Sequence, residues 1–127
     1  MNTKQVIVIR RDLKMRRGKE IAQGAHASMM FLTKALQATG ASYDDLNLTE
    51  EEQYWTEGSF KKVVCAVKSE EEFDDVIRRA SEAGLTCHVV TDSGLTEFNG
   101  VPTRTALAIG PHDEKRFKEV TDHLELY

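Results

Sequence analysis

The chain has 127 residues, 40% hydrophobic and 30% charged, with a net charge of −4, which suits one domain (residues 1–127) around a single sizeable core. No stretch is apolar for long enough to cross a bilayer, and "MNTKQVIVIRR" lacks the apolar core and cleavage site of a signal peptide, so a cytoplasmic protein is expected. The charge is uneven: residues 1–40 carry eight Lys/Arg against two acids, and residues 41–127 carry nine against nineteen. A cationic patch on an acidic chain fits a focused anionic partner better than a general polyanion binder, although solvated surface arginines give the same count.

In chain order, "KQVIVIR" (4–10) is a short β-branched run that reads as a central, doubly buried strand. From 18 to 38, Ile21, Ala22, Ala25, Met29, Leu32 and Leu36 fall at helical spacing and are expected to form the helix's inner face. Thr49-Glu50-Glu51-Glu52 reads as the capped start of a short helix. "FKKVVCAVK" (60–68) is a second strand; Ser69 with Glu72 then caps a helix whose inner face is Phe73, Val76, Ile77 and Ala80 and whose stop is Gly84. "LTCHVVT" (85–91) and "RTALAIG" (104–110) are two more strands, the latter ended by Gly110-Pro111, and "HDEKRFKEVTDHL" reads as a last helix. Residues 92–103 are too few for a helical crossover and contain the tight-turn pair Asn99-Gly100, so the last two strands run antiparallel. The expected fold is α/β: a single four-stranded mixed sheet with helices on both faces, in three layers. Cys65 and Cys87 lie in apolar runs without C-x-x-C spacing and read as two buried free thiols, a disulfide between them remaining open.

Two segments carry chemistry. In "KMRRGKEIAQGAHA" (14–27), Lys14, Arg16, Arg17 and Lys19 gather at a helix N-terminus, whose unpaired N–H groups and dipole already favour phosphate. A mononucleotide P-loop is excluded, because no glycine precedes Gly18 and Glu20 stands where Ser or Thr would bind the metal. Lys19, Gln23 and His26 span about 60° of the helix wheel, a polar edge roughly 100° from the expected apolar stripe. Gly24, Ala25, Ala27 and Ser28 beside them are small enough for close approach by another backbone or a substrate. His26 alone fits a hydrogen-bonded packing residue as well as a site group. In "TDSGLTEF" (91–98), Asp92 stands at a strand's carboxyl end, where α/β sheets place chemistry, while Asp-Ser-Gly is equally good turn sequence. Ser93 lacks the G-x-S-x-G context of a nucleophile.

"RRDLKMRRGKEIAQGAHA", then "DSGLT", then "TRTALAIGP" resembles the type-II peptidyl-tRNA hydrolases, the archaeal and eukaryotic-type family, over nearly the whole chain. The close, "VTDHLELY", is similar to that family's strand-like tail. The resemblance implies a cytosolic esterase that cleaves the ester between peptide and tRNA and so recycles stalled tRNA, without metal or other cofactor, often as a homodimer. By motif position it implies Lys19, His26, Asp92 and Thr96 as catalytic residues and Lys14, Arg16, Arg17 and Gln23 as contacts to tRNA. This chain departs from the family pattern at Gly24, where cysteine is usual, at Leu95 and Glu97, where arginine and glutamine are common, at Arg16-Arg17, and in a longer 39–53 connection. Two other readings of the same residues are a non-catalytic protein-interaction module using the acidic face (Glu50–Glu52, Glu70–Asp75) and a hydrolase of another ester or amide.

Overall fold

The structure is a computed structural model that describes residues 1–39, 42–95 and 97–127, apart from the side chains of Thr39 and Tyr43. Its elements are β1 (Thr3–Arg10), α1 (Arg17–Thr39), α2 (Glu50–Glu57), β2 (Lys62–Val67), α3 (Glu70–Glu82), β3 (Cys87–Asp92), β4 (Thr103–Asp113), α4 (Lys118–Thr121) and β5 (Glu125–Leu126). Among the described residues the sheet has five strands in the order β3-β4-β1-β2-β5, not four. The fifth is the two-residue tail, which pairs antiparallel with Cys65 and Ala66 and is too short to give a period in sequence. The sheet is mixed as expected: β1 runs parallel to β2 and antiparallel to β4, and β3 runs antiparallel to β4.

Alternation along β1 divides the core. Val6 and Val8 join Val67, Leu107, Ile109, Phe117 and the inner face of α3, where Phe73, Val76 and Ala80 are fully buried. Ile7 and Ile9 join Met15, Val90, Ala106, Ala108 and Ala27 of α1. Each large side chain buried this way contributes about 1.5–3 kcal/mol. The caps form where the sequence put them. Thr49 and Glu52 make a full capping box, whereas Ser69 accepts from the Glu72 N–H and Glu72 reaches back to Lys68 instead. Gly84, at φ +70, ends α3 with its N–H on the Ser81 carbonyl.

Helix α1 does not bury the stripe expected of it. Ile21 is 66% and Met29 55% exposed, Ala22 and Ala25 are exposed, and the face against the sheet is Gln23, Gly24, Ala27, Ser28 and Phe31. The reason is distance. The branched side chains of Ile7 and Ile9 already fill the sheet surface, so the helix settles through its smallest residues; a Cβ on Gly24 would stand 3.6 Å from Ile7. Two buried polar pairs complete the contact. Ser28 exchanges hydrogen bonds with Gln5, whose amide donates to the Ser28 carbonyl at 2.9 Å, and the Thr105 hydroxyl donates to Gln23 Oε1. The displaced apolar flank leaves a groove of about 820 Å³ between α1 and β2, bordered by Ile21, Met29, Phe60, Val64 and Tyr127.

Two irregularities in β4 shape the rest. Lys4 pairs with His112 and Val6 with Ile109, so an extra residue lies near Gly110-Pro111. A bulge tolerates the missing proline N–H, and the strand therefore runs on to Asp113 rather than ending at Gly110. The expected last helix is correspondingly reduced to a 3-10 turn over Glu114–Phe117 and the single turn α4, since β4 takes its first residues. At the other end Val90 pairs with Ala106 but Thr91 with Arg104, which makes Thr105 the extra residue and leaves its hydroxyl to meet α1. Cys65 is buried and Cys87 half-buried; both are free thiols, and burial raises the Cys87 pKa to about 11.

Candidate active site

The site is assembled where β3 ends and α1 begins. Lys14, at φ +52, turns the chain after a short 3-10 turn (Arg11–Leu13), so that Met15 enters the core while Lys14, Arg16 and Arg17 stay exposed at the head of α1. Lys19 Nζ lies 2.8 Å from Asp92 Oδ1, with the two side chains only 17% and 13% exposed. The second oxygen of Asp92 accepts the Gly94 N–H at 2.9 Å. The Lys19 ammonium and then this N–H hold the Asp92 carboxyl below its ordinary range.

The turn carrying Asp92 depends on Gly94. At φ +83 it packs so closely that a Cβ would lie 2.1 Å from the Val101 carbonyl oxygen, and its own carbonyl accepts the N–H groups of Phe98 and Gly100. Asn99 and Gly100 both take positive φ, as the tight turn read from their sequence requires. A second tie joins the two segments: Arg16 Nε donates to Glu97 Oε1 at 2.9 Å.

Of the residues expected here, Lys19 and Asp92 meet directly. Lys14, Arg16 and Arg17 form the exposed cationic approach, with Arg17 also bordering the apolar groove on the other flank of α1. That groove offers volume but mostly hydrocarbon; Glu20 and Lys62 are among its lining, but the Lys19–Asp92 pair is not. Gln23 is buried beneath the site on Thr105 rather than at the surface. His26 is exposed on the same helix edge, about 10 Å beyond Lys19 along the axis. Thr96 lies outside the described residues. Thr105, Gly94 and Glu97 went unrecognised as supports; the signal available for Thr105 was a hydroxyl residue on each side of Arg104, just before the apolar run 106–109.

An α/β sheet with a lysine–carboxylate pair at a strand's carboxyl end, approached by cations at a helix N-terminus, has the make-up of an active site for an anionic substrate. The model of the family Peptidyl-tRNA hydrolase PTH2 matches residues 3–127, and the chain belongs to that family. It is 37% identical over 123 residues to the peptidyl-tRNA hydrolase of Methanocaldococcus jannaschii, covering 97% of this chain and 98% of that one. It is 40% identical over 123 residues to the peptidyl-tRNA hydrolase of Methanopyrus kandleri, covering 97% of each. A probable peptidyl-tRNA hydrolase 2 of Dictyostelium discoideum is 37% identical over 124 residues, with 98% of this chain matching 54% of that protein. Among solved structures, an Agrobacterium tumefaciens protein of unknown function shares the fold, with a TM-score of 0.58 at 14% identity over 100% of this chain and 98% of the other.

Proposed function

We propose that the protein hydrolyses the ester joining peptide to tRNA in peptidyl-tRNA, releasing stalled tRNA for reuse. Family membership supports the reaction, and the observation that carries the site is the Lys19–Asp92 pair beside the exposed cations. Water adds to the ester carbonyl, and as the oxyanion collapses the bond to the ribose oxygen breaks and that oxygen takes up the proton the water gave up. Lys19 stabilises the developing oxyanion and Asp92 orients both the ammonium and the water. A carboxyl held low on its pKa scale is a weak base, which suits Asp92 to orientation more than to stripping a proton. Thr96 relays between Asp92 and the water, His26 serves the outer edge, and Gln23 holds α1 beneath them.

Lys14, Arg16 and Arg17 take the phosphates of the acceptor end. No base readout is required, since every tRNA ends in the same nucleotides. No cofactor enters this scheme. The same reading makes the enzyme cytoplasmic and pairs two copies as a homodimer, with the family as the support; no described helix is long and apolar enough to cross a membrane. Helices on both sheet faces belong to it too, since alternate residues of β1 join α3 and α1 separately.

The test is release of labelled peptide from peptidyl-tRNA by purified protein. Wild type should turn over, and Asp92→Asn should lower turnover by roughly 10²–10⁴. An inert wild type rejects the reading, and loss with Ser93→Ala in place of Asp92→Asn replaces water attack with a serine nucleophile.

A further inference from the structure

Resting on the peptidyl-tRNA reading, we propose that Glu97 competes with RNA phosphate for Arg16 and so sets how tightly the acceptor end is held. The two partners of this ion pair are unequal. The Glu97 side chain is 14% exposed and seated in the turn, while that of Arg16 is 82% exposed. The carboxylate is packed against the protein and the guanidinium stands in solvent. The bond uses Nε, and a guanidinium carries five N–H donors, so most of the donor fork already faces solvent. Arg16 is thus open to incoming phosphate, with its charge offset by a carboxylate packed into the turn.

Location gives the pair its consequence. Residues 16 and 97 lie on the two segments that supply Lys19 and Asp92, so the pair spans the site's approach. In the free protein it ties the turn to the head of α1. When phosphate takes the guanidinium, the tie is exchanged for a protein–RNA contact, and part of the binding energy goes into the exchange. Exposed ion pairs are weak, so the exchange costs a small factor in affinity, about two- to fivefold. A neutral side chain at this position removes that cost.

The experiment is the affinity of unacylated tRNA, read by fluorescence anisotropy over a range of salt, for wild type, Glu97→Gln, Arg16→Ala and the double variant. Glu97→Gln should bind about two- to fivefold tighter, with a log–log salt slope steeper by up to about 0.7. In the Arg16→Ala background the same change should do nothing. Equal or weaker binding by Glu97→Gln overturns the competition. So does a gain that persists without Arg16, which marks a general field effect of the lost charge. A second readout needs no variant: the Arg16 Nε–H resonance of the wild-type protein should shift as tRNA is added, and an unmoved resonance is equally fatal. Peptide release measured alongside separates the two readings. Release without a Glu97 effect removes only the competition, while neither release nor tRNA binding by any form removes both.

Discussion

Strand β3 has a charged cluster at each end, and the two look alike until the elements they join are compared. At its carboxyl end Lys19 meets Asp92 at 2.8 Å; at its amino end His112 Nδ1 meets Glu51 at 2.9 Å. Their side chains are similarly buried, 17% and 13% exposed in the first pair and 7% and 18% in the second. The amino-end cluster is saturated. Glu51 also receives Arg116 and the Asp113 N–H, and His112 Nε2 accepts the Thr86 N–H at 2.9 Å, which puts the ring proton on the side of Glu51. Those bonds fasten α2 to β4 and to the loop before β3. Asp92 instead hangs on a glycine-dependent turn, with exposed cations on the facing helix. Burial of an ion pair therefore does not separate a fastening from a site; the elements it joins and the charge that surrounds it do.

The comparison breaks first on turnover. Asp92→Asn, with its roughly 10²–10⁴ loss of turnover, should also lose the stability its depressed carboxyl contributes, but less than Glu51→Ala loses, because asparagine still accepts the Gly94 N–H. The second test is the mirror image. Glu51→Ala strands His112 and Arg116 and should lower stability by about 2–3 kcal/mol, seen as a lower urea midpoint at unchanged slope. Its turnover per folded molecule should persist; loss of turnover at a temperature where the variant stays folded would erase the distinction.

Acid sharpens it further. Burial pushes the Glu51 carboxyl up, but the Asp113 N–H, His112 and Arg116 bring it below its ordinary range; Asp92 is lowered by Lys19 and the Gly94 N–H. A depressed carboxyl contributes stability above its unfolded pKa, near 4, and loses it as pH falls through the lower folded value. Acid unfolding should therefore begin below about pH 4, Glu51→Ala should flatten it, and the acid limb of kcat/KM should also lie below about pH 4. The smallest expected effect lies beneath the site. A Cβ at Gly24 meets Ile7 at 3.6 Å and Ile9 at 3.8 Å, ordinary contact, so Gly24→Ala should raise the melting free energy by about 0.5–1 kcal/mol.

Most of the sheet was legible in the sequence because β-branched runs and antiparallel turn chemistry are local signals. Lys19 and Asp92 were legible from motifs, one at a helix start and one at a strand end. The buried face of α1 was not, because hydropathy ranks Ile21 and Met29 above Gly24 and Ser28, while the packing distance over Ile7 and Ile9 ranks them the other way. The role of Thr105 depends on a bulge, which is set by the register of two strands and not by either alone. The Arg16–Glu97 tie joins segments 81 residues apart, and neither residue is informative without the other.

The polar underside of α1 works as a ruler. Hydrocarbon packing tolerates a helix sliding along its axis, but Gln23 on Thr105 and Ser28 on Gln5 permit one setting. A slip of one residue, about 1.5 Å, would break both buried pairs. Lys19 stands four residues before Gln23, so the same setting that satisfies two buried amides delivers the ammonium to Asp92. The calibration of the surface chemistry is thus kept on the buried side of the helix.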